Sequence, residues 1–554
     1  MRAILPPMEA QSSESSEVSS MGQRMKGGHA VVATLEANGV DTVFGVPGVH
    51  TLDIYDALYD SRIRHILARH EQGAGFMADG YARVTGKPGV AIIITGPGLT
   101  NVSTPVGQAY TDSSPVLIIS AEVERENAAR MRGNLHDLHD QLGLMSHLTK
   151  WNTQVNDVAE IPWAINEALR QMRTGRPRPT HVQVPIDVLA EEAEIEITAA
   201  PEGIRRRPGT EAIAAAVSAI QAAKKIVIYA GGAVQSEVDG VLTELAEALD
   251  APVITSTPGK GAIPEDHPLS FGVTYYGWSR TIEDLLRESD LCIVIGSKLG
   301  AMSTNQWSLP LPKRIVQIDI DPTELGRNYP ADVKVQGDAR LAVEMMLDAI
   351  RANGGPAQRW AREDLARRHA AAVPARDTQY QDYIDALRTA IPRDGIITHD
   401  MTSLSYECHQ RFPVYGTRRY LSPHGYGTLG FSVPAAIGAK IGAPEREVVA
   451  VVGDGGYQFT MEELAVAIQH EVTLPIVIFN DSTYTAVKRG MDASQRYVGV
   501  DLVNPDYVKL ADAYGIPGVR ARSADALAAA IRDAQKRRGP TIIDTPIVSP
   551  GSPV

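Results

Sequence analysis

The sequence predicts an α/β protein of three doubly wound parallel-sheet domains. Short β-branched runs alternate with helical patterns along the whole chain, which is how parallel-sheet domains read. The runs are continuously apolar, as strands covered on both faces are. They lie at residues 90–94, 116–119, 225–229, 291–295, 448–452 and 476–479. Two linker-like stretches set the number of domains. Residues 199–209 (AAPEGIRRRPG) combine Pro, Gly and three successive arginines, and residues 351–378 are charged, with Gly354-Gly355-Pro356 near their start and Pro374 near their end. The expected organisation is a disordered tail over 1–24, then domains over 25–195, 205–350 and 379–548.

Composition agrees with this. A chain of 554 residues, at a prior of about 150 residues per domain, holds three or four domains. It is 44% hydrophobic and 21% charged, ordinary globular material. The net charge of -13 (53 basic against 66 acidic residues) is spread without a long basic block, so no nucleic-acid partner is expected. Cys292 and Cys408 fit neither a disulfide framework nor a metal knuckle, which points to a reducing, cytoplasmic setting. Residues 1–7 have too few apolar side chains for a signal peptide, and the Ser-rich stretch 11–20 reads as disordered. No apolar run is long enough to span a bilayer, so no membrane association is expected.

Four segments carry chemistry. In the third domain a buried strand runs into Gly453-Asp454-Gly455-Gly456, then a helical pattern over 461–470, then a strand ending in Asn480-Asp481. In such a unit both strand ends lie at one edge of the sheet, so Asp454 and Asn480-Asp481 converge. Their oxygens are the hard ligands that Mg²⁺ prefers. Gly455 and Gly456 let a phosphate approach backbone amides where a helix begins. An isolated Gly-Asp-Gly is more often only a tight turn; the ordered strands on either side argue for a cation and a diphosphate together. The second segment is Arg69-His70-Glu71-Gln72-Gly73, where Glu71 alone would read as a helix N-terminal acid facing the dipole. The third is Gly96-Pro97-Gly98, a turn at a strand C-terminus, where α/β sheets place ligands. The fourth is the glycine-rich Ser422–Gly430 run, which contains His424, Gly427 and Leu429.

Together these segments resemble the thiamine-diphosphate (ThDP) enzymes of the acetohydroxyacid synthase and 2-oxoacid decarboxylase family, from about Gly27 to Asp544. The resemblance implies a pyrimidine-binding, a central and a diphosphate-binding domain, in that order. It implies that Asp454, Asp481 and the carbonyl of Thr483 ligate Mg²⁺, although Asp481 stands where the family more often has Asn. Thr402, Ser403, Gly455 and Gly456 would meet the diphosphate. Gly427 would offer its carbonyl to the 4′-amino group, and Leu429 would prop the cofactor into its bent form. Glu71 would hydrogen-bond the aminopyrimidine and so promote removal of the C2 proton. His50 and His424 are candidate proton shuttles. Val49, Gly98 and Gln108 are weaker substrate candidates. Ala230-Gly231-Gly232 and Ile318-Asp319-Ile320-Asp321-Pro322 resemble the family's central domain, which binds FAD in some members. The run from Gly296 to Asn305 lacks the Arg-Phe-Asp-Asp pattern of those members, so FAD is not expected.

The implied activity is decarboxylation of a 2-oxo acid, followed by aldehyde release or carboligation, as in acetolactate synthesis. Pro47-Gly48-Val49-His50-Thr51 and Gly133-Asn134-Leu135-His136 look rather like guanidino-oxopentanoate decarboxylases. A 2-hydroxyacyl-CoA lyase would run the same chemistry in reverse. An NAD-dependent dehydrogenase would need a GxGxxG opening a first βαβ unit, which is missing; a non-catalytic scaffold is the remaining class. The family also implies a homodimer or homotetramer.

Overall fold

The computed structural model describes residues 22–201, 203, 205–235, 238–371 and 380–548. Three sheets of six parallel strands dominate it. The first runs in the order Arg64–Leu67, Thr42–Gly45, Gly89–Ile93, Val116–Glu122, Thr180–Pro185, Trp151–Gln154. The second runs Ser270–Thr274, Val253–Ser256, Ile226–Ala230, Leu291–Ile295, Ile315–Asp319, Val333–Gln336. The third runs Tyr420–Leu421, Ile396–His399, Val448–Gly453, Leu474–Asn480, Pro540–Pro546, Gly518–Arg520. Numbered along the chain within each domain, the outer sheets share one order, 2-1-3-4-6-5, and the middle sheet is 3-2-1-4-5-6. Each order reverses direction at its first strand, and the crevice at such a point is where open α/β sheets take ligands.

The outer domains pack directly on one another. Helix Glu71–Thr85 of the first crosses helix Ser432–Gly442 of the third. Small residues make the crossing close: a Cβ on Gly80 would sit 2.0 Å from the Ala435 carbonyl oxygen, and one on Gly438 would sit 1.9 Å from that of Met77. One continuous apolar core therefore includes Phe76, Met77 and Leu99 with Phe431, Ala435 and Leu464. Arg83 ties the same faces together, donating to Asp79 at 2.7 Å, Asp112 at 3.0 Å and the Ser422 carbonyl at 3.0 Å. The middle domain joins the third through the buried Lys260–Glu265 ion pair, whose carboxylate also accepts from the Val414 amide. It joins the first through Arg176 and the buried Glu324.

Some sequence expectations change. Residues 1–21 of the expected tail lie outside the described residues, but Gln23–Lys26 form a strand antiparallel to Glu192–Ile195. The tail assignment over 1–24 was thus too long, because four residues with two exposed polar positions carry little strand signal. The charged stretch 351–378 is not linker throughout. Helix Arg362–Ala371 lies in it, and Trp360 is buried in the middle core with its indole N–H on the Ile226 carbonyl at 2.9 Å. The helix expected over 461–470 is a 3₁₀ turn, Met461–Glu463, running into Leu464–Gln469. Among the described residues no helix is long and apolar enough to cross a membrane.

The close crossing makes a test. Gly438→Val forces the two helices apart, at a cost of about 1–3 kcal/mol. The urea midpoint should fall accordingly; an unchanged midpoint would show that the helices are not held this close.

Candidate active site

Two groups of side chains form at the C-terminal edges of the outer sheets. The group in the third domain is built on adjacent parallel strands, Val448–Gly453 and Leu474–Asn480, with Gly453 opposite Phe479. Asp454 follows the first strand directly and is buried. Its Oδ2 accepts from the Ser482 amide at 2.8 Å and from Asn504 Nδ2 at 2.6 Å. Burial, reinforced by nearby Asp481, lifts its carboxyl to about 6 against those hydrogen bonds. Asp481 accepts from Thr485 Oγ1, and Ser482 then turns left-handed (φ 56°) to bring in Thr483. Tight space explains both glycines of the turn. A Cβ on Gly455 would lie 2.4 Å from the Tyr484 ring, and one on Gly456 would lie 3.0 Å from Asp400 Oδ2.

Asp400 ends the neighbouring strand. It accepts from the Met401 and Gly430 amides, both at 2.8 Å, and burial lifts it to about 6. Thr402 caps the helix that begins at Ser403, accepting from the Ser405 amide. Gly427 is left-handed (φ 74°), with Met401 against it, and Leu429 is half-buried. Thr402, Ser403, Gly427, Leu429, Asp454, Gly455, Gly456, Asp481 and Thr483 therefore belong to one sheet edge. Among the described residues no group of three or more His, Cys, Asp or Glu could hold a metal ion. A cation between Asp454 and Asp481 would complete its shell with a carbonyl, water and phosphate oxygens, which is how Mg²⁺ is usually held. Two close carboxylates, one of them lifted by burial, suit that charge. The residues fit the expected cation and diphosphate.

The group in the first domain centres on Glu71, the first residue of its helix. Its Oε2 accepts from Asn101 Nδ2 at 2.9 Å, and its Oε1 lies 3.3 Å from where a Cβ on Gly98 would sit. The turn before that needs glycine. Gly96 has φ 65°, and its missing Cβ would lie 2.5 Å from the His136 carbonyl oxygen. Beneath it Gln141 accepts from Thr95 Oγ1 at 2.8 Å and the Gly96 amide at 3.0 Å, and donates to Gln183 at 3.0 Å. Buried Glu122 closes this network. His50 is buried, its ring centroid 5.3 Å from that of His136; burial and that neighbour hold it below its usual range. Val49 is exposed.

Two further candidates have partners in other domains. Gln108 is fully buried between domains, donating to Asp112 at 2.6 Å and accepting from Thr428 Oγ1 at 3.0 Å. Its amide is engaged in joining domains. His424 packs among Tyr275 of the middle domain and His409, and burial pushes it down to about 4. Burial thus disfavours its charged form. Among the described residues no hydrogen bond links Glu71 to the Asp454 group.

Two residues that the sequence did not single out matter here. Asn504 touches Asp454, Asn480 and Ser482; its Val-Asn-Pro-Asp setting reads only as a turn. Glu463, fully buried, reaches from the third domain to the start of the Glu71 helix. It accepts from the Arg69 amide at 3.1 Å and the His70 amide at 2.9 Å, in space that Gly73 leaves open. A carboxylate at a helix N-terminus is favourable, yet burial dominates and lifts it to about 8.

Comparison with known proteins agrees with this arrangement. Residues 25–144 match the N-terminal TPP-binding domain of thiamine pyrophosphate enzymes, 213–346 the central domain, and 400–545 the C-terminal TPP-binding domain. A protein of Pseudomonas aeruginosa named probable 2-ketoarginine decarboxylase is 38% identical over 533 residues, covering 93% of each chain. One of Methanocaldococcus jannaschii named probable acetolactate synthase large subunit is 33% identical over 559 residues, covering 95% of this chain and 94% of its own. The acetolactate synthase large subunit of Corynebacterium glutamicum is 33% identical, covering 96% of this chain and 89% of its own.

Glu463 yields a pH test. An ordinary glutamate titrates near 4.5, and this one near 8 when folded. Below the lower value both states are protonated and ionisation costs nothing. The cost grows as pH rises between the two values. Wild type should therefore lose thermal stability relative to Glu463→Gln from about pH 4.5 to 8. A pH-independent difference would show that Glu463 is ionised at no penalty.

Proposed function

The chain belongs to the thiamine pyrophosphate enzyme family, and on that premise we propose that it is a ThDP- and Mg²⁺-dependent decarboxylase of a longer 2-oxo acid, with 5-guanidino-2-oxopentanoate (2-ketoarginine) the leading substrate. The observation that carries the catalytic reading is Glu71. One carboxylate oxygen is held by a neutral amide and the other faces the space kept open by Gly98. The substrate is ordered by the relatives: the one named for 2-ketoarginine shares more identity with this chain than those named acetolactate synthases. Acetolactate synthesis from pyruvate is the second reading, favoured by several relatives of nearly full-length match.

When bound, ThDP supplies the carbon that adds to the substrate carbonyl and accepts the electron pair as carbon dioxide leaves. The protein does the rest. Asp454, Asp481 and the Thr483 carbonyl would hold Mg²⁺. Thr402, Ser403 and the Gly455–Gly456 backbone would hold the diphosphate. Glu71, with one oxygen held by Asn101 and the other facing the space beside Gly98, would hold or release a proton toward the aminopyrimidine. His50, buried and held below its usual range, would accept a hydrogen bond from the substrate.

Among the described residues no hydrogen bond joins the two groups within one chain, and each has exposed apolar side chains near it in sequence. Val49 and Leu52 stand beside the first, and Val487, Val498 and Val503 beside the second. A second copy that covers both would complete two sites, so a homodimer, alone or doubled to a tetramer, is part of the reading. Buried, unpaired Cys292 and Cys408 suit a reducing cytoplasm.

Carbon dioxide release from a panel of 2-oxo acids, with ThDP and Mg²⁺, tests the substrate. The guanidino acid should be turned over fastest. Efficient acetolactate formation from pyruvate alone, with longer acids inert, would replace the leading reading with the second. Glu71→Gln should still bind ThDP but lose about 10²-fold or more in kcat; full activity would remove Glu71 from the chemistry.

A further inference from the structure

We infer that Asn504 is a positioning residue that fixes the carboxylate of Asp454 for its cation, an inference that rests on the metal reading proposed above. One side-chain amide here touches four groups on two segments of the third domain, one at the C-terminal end of each of two adjacent strands. Its Nδ2 donates to Asp454 Oδ2 at 2.6 Å and lies 3.1 Å from Asn480 Oδ1 and 3.4 Å from Ser482 Oγ. Its Oδ1 accepts from Gln458 Nε2 at 2.9 Å. The shortest of these contacts is the one to the carboxylate.

The amide's orientation follows from its partners. Turned over, its oxygen would face Asp454 Oδ2 at contact distance and its nitrogen would face the Gln458 amide, so two bonds would become repulsions. The nitrogen therefore faces Asp454. A nitrogen that is already donating does not ligate a cation, and Oδ1 is taken by Gln458. Asn504 thus acts on the cation through Asp454, by stopping rotation of the carboxylate and locking the end of strand Leu474–Asn480 to it.

The backbone places Asn504 for this. The chain leaves the site after Asp481 and returns at Asp501. Its two limbs are joined by the Tyr484 amide on the Val500 carbonyl and the Leu502 amide on the Ser482 carbonyl, both at 2.8 Å, and by the Thr483–Asp501 bridge. Asn504 comes two residues after this closure. Pro505 follows, and Asp506 caps helix Tyr507–Ala513. The side chain reaches back to the ends of the two strands, and its shortest contact is with the Asp454 carboxylate.

Partners that orient a metal ligand typically contribute about 10–100-fold in metal affinity. Mn²⁺ titrations by electron paramagnetic resonance, with ThDP present, would measure this directly. Asn504→Ala should raise the Mn²⁺ Kd by about 10–100-fold, and the Mg²⁺ activation curve should move by a similar factor, with kcat recovered at saturating Mg²⁺. Gln458→Ala leaves Asn504 in place but frees its amide to turn, so Kd should rise in the same direction by a smaller factor. It also keeps the test open if Asn504→Ala fails to fold. A Mn²⁺ Kd unchanged in both variants, or activity lost in folded Asn504→Ala that saturating metal does not restore, would overturn the role of Asn504. Wild type that binds no Mn²⁺ with ThDP present would instead sink the metal reading itself.

Discussion

Contact between helices Glu71–Thr85 and Ser432–Gly442 is the constraint on which the rest of the structure depends. Backbone meets backbone at Gly80 and Gly438, so the two outer sheets are fixed at one separation. That separation puts Glu463 within reach of the Arg69 and His70 amides, and Arg83 within reach of the Ser422 carbonyl. The first contact anchors the start of the helix that carries Glu71. The second holds the segment leading to Gly427. Both halves of the site are thus referred to a single packed surface.

Electrostatics at this surface run in one direction. Asp400, Asp454 and Glu463 are all lifted by burial, while His50 and His424 are all lowered by it. At these groups burial favours the uncharged form, whereas buried Arg83 stays charged beside Asp79 and Asp112. Such a setting lends itself to moving protons and to receiving a charged cofactor whose own charges need partners. It also makes the Asp454–Asp481 pair costly to leave without a cation.

Much of the fold was legible because its signals are local. Continuous apolar runs mark the buried strands, and Gly453-Asp454-Gly455-Gly456 marks the turn between two of them. Gly98 is legible for the same reason, as part of a turn at a strand end, whereas Glu71 alone reads as a helix N-terminal acid and takes its expected role from the family resemblance. Features made by distant segments were not legible. Asn504 lies far along the chain from Asp454, Glu463 acts on a helix of another domain, and His424 meets Tyr275 of a third. Trp360 was hidden differently: it sits in a stretch whose charge reads as linker, and only the packed middle core shows that it is buried.

The common strand order of the outer domains has a consequence for origin. In both, the third strand along the chain ends in a glycine turn, Gly96-Pro97-Gly98 in one and Gly453-Asp454-Gly455-Gly456 in the other. In both, the first strand ends across the same crevice, at Val46 and at Asp400. Two copies of one ancestral unit would leave this pattern, each keeping its binding crevice while its side chains took different work. On the proposed function, one unit would manage protons and the other charge, with the same location in the sheet used twice in one polypeptide.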